Sequence, residues 1–124
     1  QIRKIVNEEE CVAIMEEYGF KTIYFEDHSL KQKIAILLDA QYMISNHGGG
    51  LTNILFMKSG SSVLELRQSG DSHNNAYFSL ASALYLKYYY QLCHSENPDE
   101  DAHTANLIVD CRRLRKNIEQ ILAN

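Results

Sequence analysis

Apolar positions along the chain change period several times, and each change marks an element. From Asn7 to Tyr18 the spacing is helical, with Cys11, Val12, Met15 and Tyr18 on one face. Asn7 and Glu10 have the spacing of a capping box, and Gly19 supplies the stop. Thr22-Ile23-Tyr24-Phe25 then reads as a short strand. Ser29 with Gln32 repeats the cap spacing ahead of a stripe of Leu30, Ile34, Leu37 and Leu38. Tyr42-Met43-Ile44 predicts a second strand, which runs directly into His47-Gly48-Gly49-Gly50. Leu51 to Met57 predicts a short helix, Gly60-Ser61-Ser62 a turn, and Ser62 to Leu66 a third strand. Asn74 to Leu86 is helical in spacing, with Phe78, Ala81, Leu84 and Tyr85 on one face, and Lys87 to Leu92 is a Tyr-rich fourth strand.

Strands beginning near 22, 42, 62 and 88, each pair separated by a helical pattern, predict an α/β fold with a parallel sheet. After them comes a polar loop, His94 to His103, which holds Pro98 and the acids Glu96, Asp99, Glu100 and Asp101. Asn106 to Val109 predicts a short extension. Asp110 then caps a last helix with Leu114, Ile118, Ile121 and Leu122 on its apolar face. The basic run Arg112-Arg113-Leu114-Arg115-Lys116 lies on this helix and reads as a solvated face.

Composition narrows the classes. At 124 residues the chain is expected to be one domain, 1–124, with a buried core. A formal charge of −4 argues against a nucleic-acid or anionic-membrane binder, which would want a basic face. The apolar runs are short, as in Ile34-Ala35-Ile36-Leu37-Leu38, so no membrane span is expected. Cys11, Cys93 and Cys111 are an odd number, far apart in sequence and without a C-x-x-C pair. That favours reduced thiols and a cytoplasmic location over a disulfide framework or zinc site. The start, Gln1-Ile2-Arg3-Lys4, lacks Met and a signal-like stretch, and reads as the edge of a piece cut from a longer protein.

The chemistry concentrates in Ser45-Asn46-His47-Gly48-Gly49-Gly50-Leu51-Thr52-Asn53. This segment sits at a strand C-terminus and opens a helix, the place where open α/β sheets bind ligands. Three glycines let backbone approach a ligand closely, and the N–H groups of a helix start attract phosphate. His-Gly-Gly-Gly also occurs as the oxyanion-hole loop of some esterases, but those need a G-x-S-x-G elbow. Neither Gly60-Ser61-Ser62-Val63 nor Gly70-Asp71-Ser72-His73 supplies one. Asp99-Glu100-Asp101 has the D-x-D spacing of metal-dependent glycosyltransferases, yet it lies in a solvated loop away from the glycines. His28, His73, His94 and His103 show no ligand spacing with one another, so no metal is expected.

The run from Asn46 through Asn53 to Leu55-Phe56-Met57, followed by Gly60-Ser61-Ser62-Val63-Leu64-Glu65-Leu66, resembles glycosyltransferase family 61. That family's pattern is roughly H-G-A-G-L-T-N, two residues, F-M, a Gly-Ser turn and V-I-E-L. Arg3, Ile5, Asn7-Glu8, Gly19-Phe20 and Gln32 upstream also match, as do Tyr77, Ala81, Tyr88 and Val109-Asp110 downstream. Gly49 stands where Ala is usual, and Asn46 where Pro is frequent. The resemblance implies a Rossmann-like open parallel sheet of about four strands, the C-terminal half of a GT-B enzyme, truncated at its N-terminus. It implies transfer of a sugar with inversion and without a catalytic metal, in capsular or cell-surface polysaccharide biosynthesis. The nucleotide-sugar is the donor substrate and no cofactor is implied. A glycan acceptor would be held through the missing N-terminal domain.

On this reading the Gly48 to Leu51 backbone and the helix dipole stabilise the departing diphosphate. His47 is the best catalytic candidate, by a hydrogen bond to phosphate or by orienting the sugar, ahead of a structural role capping the turn. Thr52 and Asn53 contact phosphate or cap the helix. Glu65 accepts from ribose hydroxyls or serves the fold. Arg3 is a further phosphate contact. No general base is identifiable. The other reading is a catalytically inactive nucleotide-recognition or interaction module. A face left bare by the missing parts would favour self-association into a homo-oligomer.

Overall fold

The computed structural model describes residues 4–46, 49–69, 76–97, 99 and 106–124. In chain order the elements are α1 (Glu8–Glu17), a 3-10 turn (Phe25–Asp27), α2 (Leu30–Asp39), β1 (Tyr42–Asn46) and a 3-10 helix (Gly49–Phe56). Then come β2 (Ser62–Gln68), α3 (Ala76–Ala83), β3 (Lys87–Ser95), β4 (Leu107–Ile108) and α4 (Cys111–Ala123). The chain is thus α/β, with the four strands ordered β1-β2-β3-β4 in one sheet.

The sheet is mixed, which corrects the expectation of parallel strands throughout. At the feet of the first three strands, Ser62 N–H donates to Gln41 C=O at 2.9 Å and Lys87 N–H to Ser61 C=O at 2.8 Å. β4, however, pairs antiparallel with β3, placing His94 opposite Ile108 and Ser95 opposite Leu107. Residues 96–106 separate the two strands, at the short end of what a helical crossover needs, which favours a chain that doubles back. The strand expected at Thr22 to Phe25 is absent. Ile23 and Tyr24 are exposed there, and β-propensity without a ladder or a face to bury makes no strand.

Two compact units divide the chain. A central unit holds Ile23–Glu65 and Ser72–Tyr90, and a terminal unit holds Gln1–Thr22, Leu66–Asp71 and Gln91–Asn124. In the central unit, Leu37, Ile54, Met57, Val63, Ala81 and Leu86 form the core, with Phe25, Met43, Phe56 and Tyr88 packed partly against it. The Ser29 box forms as expected: Ser29 Oγ accepts from Gln32 N–H, and Gln32 Oε1 accepts from Ser29 N–H at 2.9 Å. Of the expected stripe on α2 only Leu37 is buried, while Leu30 and Leu38 stay exposed.

In the terminal unit α1 packs on α4, burying Cys11 and Ile14 against a stripe of Leu114, Ile118 and Ile121. Asp110 caps α4 by accepting from Arg113 N–H at 3.1 Å. Asn7 does not cap α1, contrary to its sequence spacing. Its carboxamide donates to Val109 C=O at 2.8 Å and accepts from Val109 N–H at 3.0 Å. This side chain prolongs a backbone ladder in which Leu107 N–H donates to Lys4 C=O and Val6 N–H to Leu107 C=O. Gly19 ends α1 as expected, in the left-handed region at φ 87°. Phe20 N–H reaches back to Met15 C=O and Gly19 N–H to Glu16 C=O, a Schellman closure.

Candidate functional site

β1 delivers the chain to the glycine segment, and the helix that follows is 3-10 rather than α. Eight residues is long for this form, whose hydrogen bonds are poorer than those of an α-helix. Two early glycines and the short polar Thr52 and Asn53 are weak α formers. The 3-10 period of three stacks Ile54 and Met57 on one side, and both are buried in the central core while Leu55 is exposed. α2, α3 and β1 all pack against this helix. A helix start whose first N–H groups lack intrahelical partners is thereby fixed on a rigid support at a strand end.

Of the sequence-predicted site residues, Arg3, His47 and Gly48 lie outside the described residues, as do the side chains of Leu51 and Thr52, and Gly49 and Gly50 are described only as part of the 3-10 helix. Asn53 is half-buried within the 3-10 helix. Glu65 lies in β2, whose residues from Ser62 through Arg67 are all buried. Such a strand is covered on both faces, as expected between layers. Glu65 itself is 1% exposed. Its Oε1 accepts a hydrogen bond from the Tyr88 hydroxyl. Tyr88 is held in turn, with Phe78 edge-on at 5.5 Å and Tyr90 stacked at 6.2 Å.

Sequence reasoning noted the tyrosines of β3 but did not connect Tyr88 to Glu65. The one available signal was a carboxylate inside an otherwise apolar strand, which must find a donor when buried. It also missed that Cys11 and Cys111 meet. Burial pushes the Cys11 thiol up to about 12, with neighbouring Cys111 adding to the effect, and burial pushes Cys93 up to about 11. Thiols so shifted are poor nucleophiles, so neither is suited to covalent catalysis. Among the described residues no three His, Cys, Asp or Glu gather as a metal site. No described helix is long and apolar enough to cross a membrane. Asp99, the described member of its acidic run, has its N–H bonded to Asn97 Oδ1 at 3.1 Å and is exposed.

Residues 1–64, which include β1, the glycine segment and the start of β2, match the family Glycosyltransferase 61, and the chain belongs to that family. Among its relatives is a Xenopus laevis protein O-linked-mannose β-1,4-N-acetylglucosaminyltransferase 2, 40% identical over 67 residues. The human protein of the same name is 35% identical over 69 residues. A Drosophila melanogaster EGF domain-specific O-linked N-acetylglucosamine transferase is 29% identical over 89 residues. These matches cover 52%, 53% and 69% of this chain, but only 12%, 12% and 17% of the respective relatives. The chain therefore corresponds to a small part of the curated proteins it matches.

Proposed function

We propose that this chain is the donor-binding part of an inverting, metal-independent glycosyltransferase that moves a sugar from a nucleotide-sugar to a glycan acceptor. The observation that carries the reading is the glycine segment. It joins the end of β1 to a helix start braced by α2 and α3, inside the stretch that matches the family. In the transfer, an acceptor hydroxyl oxygen bonds to the anomeric carbon as the bond to the diphosphate breaks, and negative charge grows on the leaving group. Backbone N–H groups from Gly48 to Leu51 take up that charge, with His47 orienting the phosphate or sugar. Arg3, Thr52 and Asn53 add polar contacts. Glu65, secured by Tyr88, sets the strand beside the ribose.

The wider fold on this proposal is the Rossmann-like C-terminal half of a GT-B enzyme, and the general base comes from residues outside the described segment. The relatives' names support a donor carrying N-acetylglucosamine and a protein-linked acceptor in preference to capsular polysaccharide. The test is calorimetric titration of UDP-N-acetylglucosamine, UDP and GDP into the full-length protein, with and without Mg²⁺. We expect UDP-linked ligands to bind independently of Mg²⁺, and His47→Ala to weaken binding at least tenfold. Unchanged affinity in that variant refutes the site. Binding without any sugar transfer by the full-length protein turns the reading to an inactive recognition module.

A further inference from the structure

The sequence separates Cys11 from Cys111 by nearly the whole chain, but the fold joins them. Cys11 sits in α1 and is fully buried, whereas Cys111 is the first residue of α4 and is partly exposed. α1 packs on α4, and the Cys111 thiol lies against the turn of α1 that carries Cys11. The surrounding bonds fix them from both sides. Asn7 Nδ2 donates to Cys111 Sγ at 3.6 Å, while the Asn7 C=O accepts from Cys11 N–H at 3.2 Å. The Cys111 thiol in turn donates to Glu10 Oε2 at 3.6 Å, and Glu10 is the neighbour of Cys11 in α1. Asp110 and Val109 stand beside it on the α4 side. The third cysteine, Cys93, is buried in β3, and its thiol donates to Gln91 C=O at 3.6 Å.

We propose that Cys11 and Cys111 form a disulfide that ties α1 to α4 when the protein meets a small-molecule disulfide such as oxidised glutathione. The step balances. The Cys111 sulfur, after losing its proton, attacks the glutathione disulfide and releases one glutathione thiol. Cys11 sulfur then attacks Cys111 sulfur, gives up its own proton and releases the second glutathione. The protein loses two hydrogens and two electrons, and the oxidant gains them. Exposure decides the order, because only Cys111 is open to solvent. Both thiols are pushed above their ordinary range by burial, so the reaction is slow at neutral pH and quickens as pH rises.

The test incubates the full chain with oxidised glutathione under native conditions, blocks remaining thiols, and maps linkages by mass spectrometry without reduction. The expected product has lost the mass of two hydrogens and joins the Cys11 and Cys111 peptides. Cys93→Ser is expected to behave identically. Cys11→Ser is expected to accumulate one glutathione on Cys111, and Cys111→Ser to remain unmodified. A linkage through Cys93, a stable glutathione adduct on the unaltered protein, or no change overnight at pH 8.5 would each overturn the proposal. As a measurement free of variants, the oxidised chain is expected to melt roughly 5–15 °C above the same sample with reductant, since the bond closes a loop of about 100 residues. An unchanged Tm in a sample carrying the bond refutes its role as a tie between the helices.

Discussion

Asn7 offers the sharpest test of how the terminal unit is held. Its carboxamide makes two bonds to Val109, a residue only 2% exposed. Asn7→Ala removes both partners and leaves a buried N–H and a buried C=O with nothing in their place. Each such loss costs about 1–3 kcal/mol, so the expected destabilisation is about 2–4 kcal/mol after partial hydration. Urea unfolding followed by far-UV circular dichroism measures it, and the m-value should be unchanged because the surface exposed on unfolding is the same. The control lies in the alternative role. If Asn7 were acting as the cap its spacing suggests, Asn7→Ser and Asn7→Asp would keep nearly full stability, since both are good caps. Because the structure uses a donor and an acceptor together, we expect both variants to fall about as far as Asn7→Ala, Asp by setting a carboxylate against the Val109 carbonyl. A loss under about 0.5 kcal/mol for Ala, or rescue by Ser, would refute the reasoning.

Further outcomes follow from other residues. Tyr88→Phe should cost about 1.5–3 kcal/mol by taking the hydroxyl from the Glu65 carboxyl, measured by the same unfolding assay. Tyr85 ends α3 at φ 58° with 81% of its surface exposed, so Tyr85→Gly should raise stability by about 1 kcal/mol. Ile118→Ala, in a position with no exposure, should cost about 2–5 kcal/mol. The Arg115 guanidinium, 2.7 Å away, holds the Glu17 carboxyl below its ordinary range. A depressed folded value means that this contribution is present above the unfolded carboxylate range and is lost as pH falls through the folded one. Stability of Arg115→Gln should therefore depend less on pH in that acidic window.

The sequence was informative where one local rule decided an element. Ser29 and Gln32 specify a cap through bonds three residues apart, Gly19 a stop through its backbone freedom, and the stripe Leu114, Ile118 and Ile121 a buried face through helical period. It misled where the deciding partner is distant. Asn7 carries a cap signature, yet Val109 offers it two bonds that outcompete one. Thr22 to Phe25 has strand composition but no neighbour to pair with, and a short connection favours the antiparallel course of β4. The glycine segment was legible because strand end, glycines and helix start are contiguous. Its helical form was not, since the choice of 3-10 over α depends on seating Ile54 and Met57 together in the core.

The ladder between residues 4–7 and 106–109 has a consequence for the order of synthesis. The central unit has all its segments once Tyr90 has been made, but α1 meets neither its partner helix nor Val109 until about the last seventh of the chain appears. At about 5–20 residues per second, the roughly 100 residues between these partners take about 5–20 s to be made. Throughout that interval the apolar face of α1, with Cys11 at its centre, has no native cover. Ribosome-bound chaperones are therefore expected to find this helix on nascent chains stopped shortly before Leu107, and to lose it once Ala123 has left the exit tunnel.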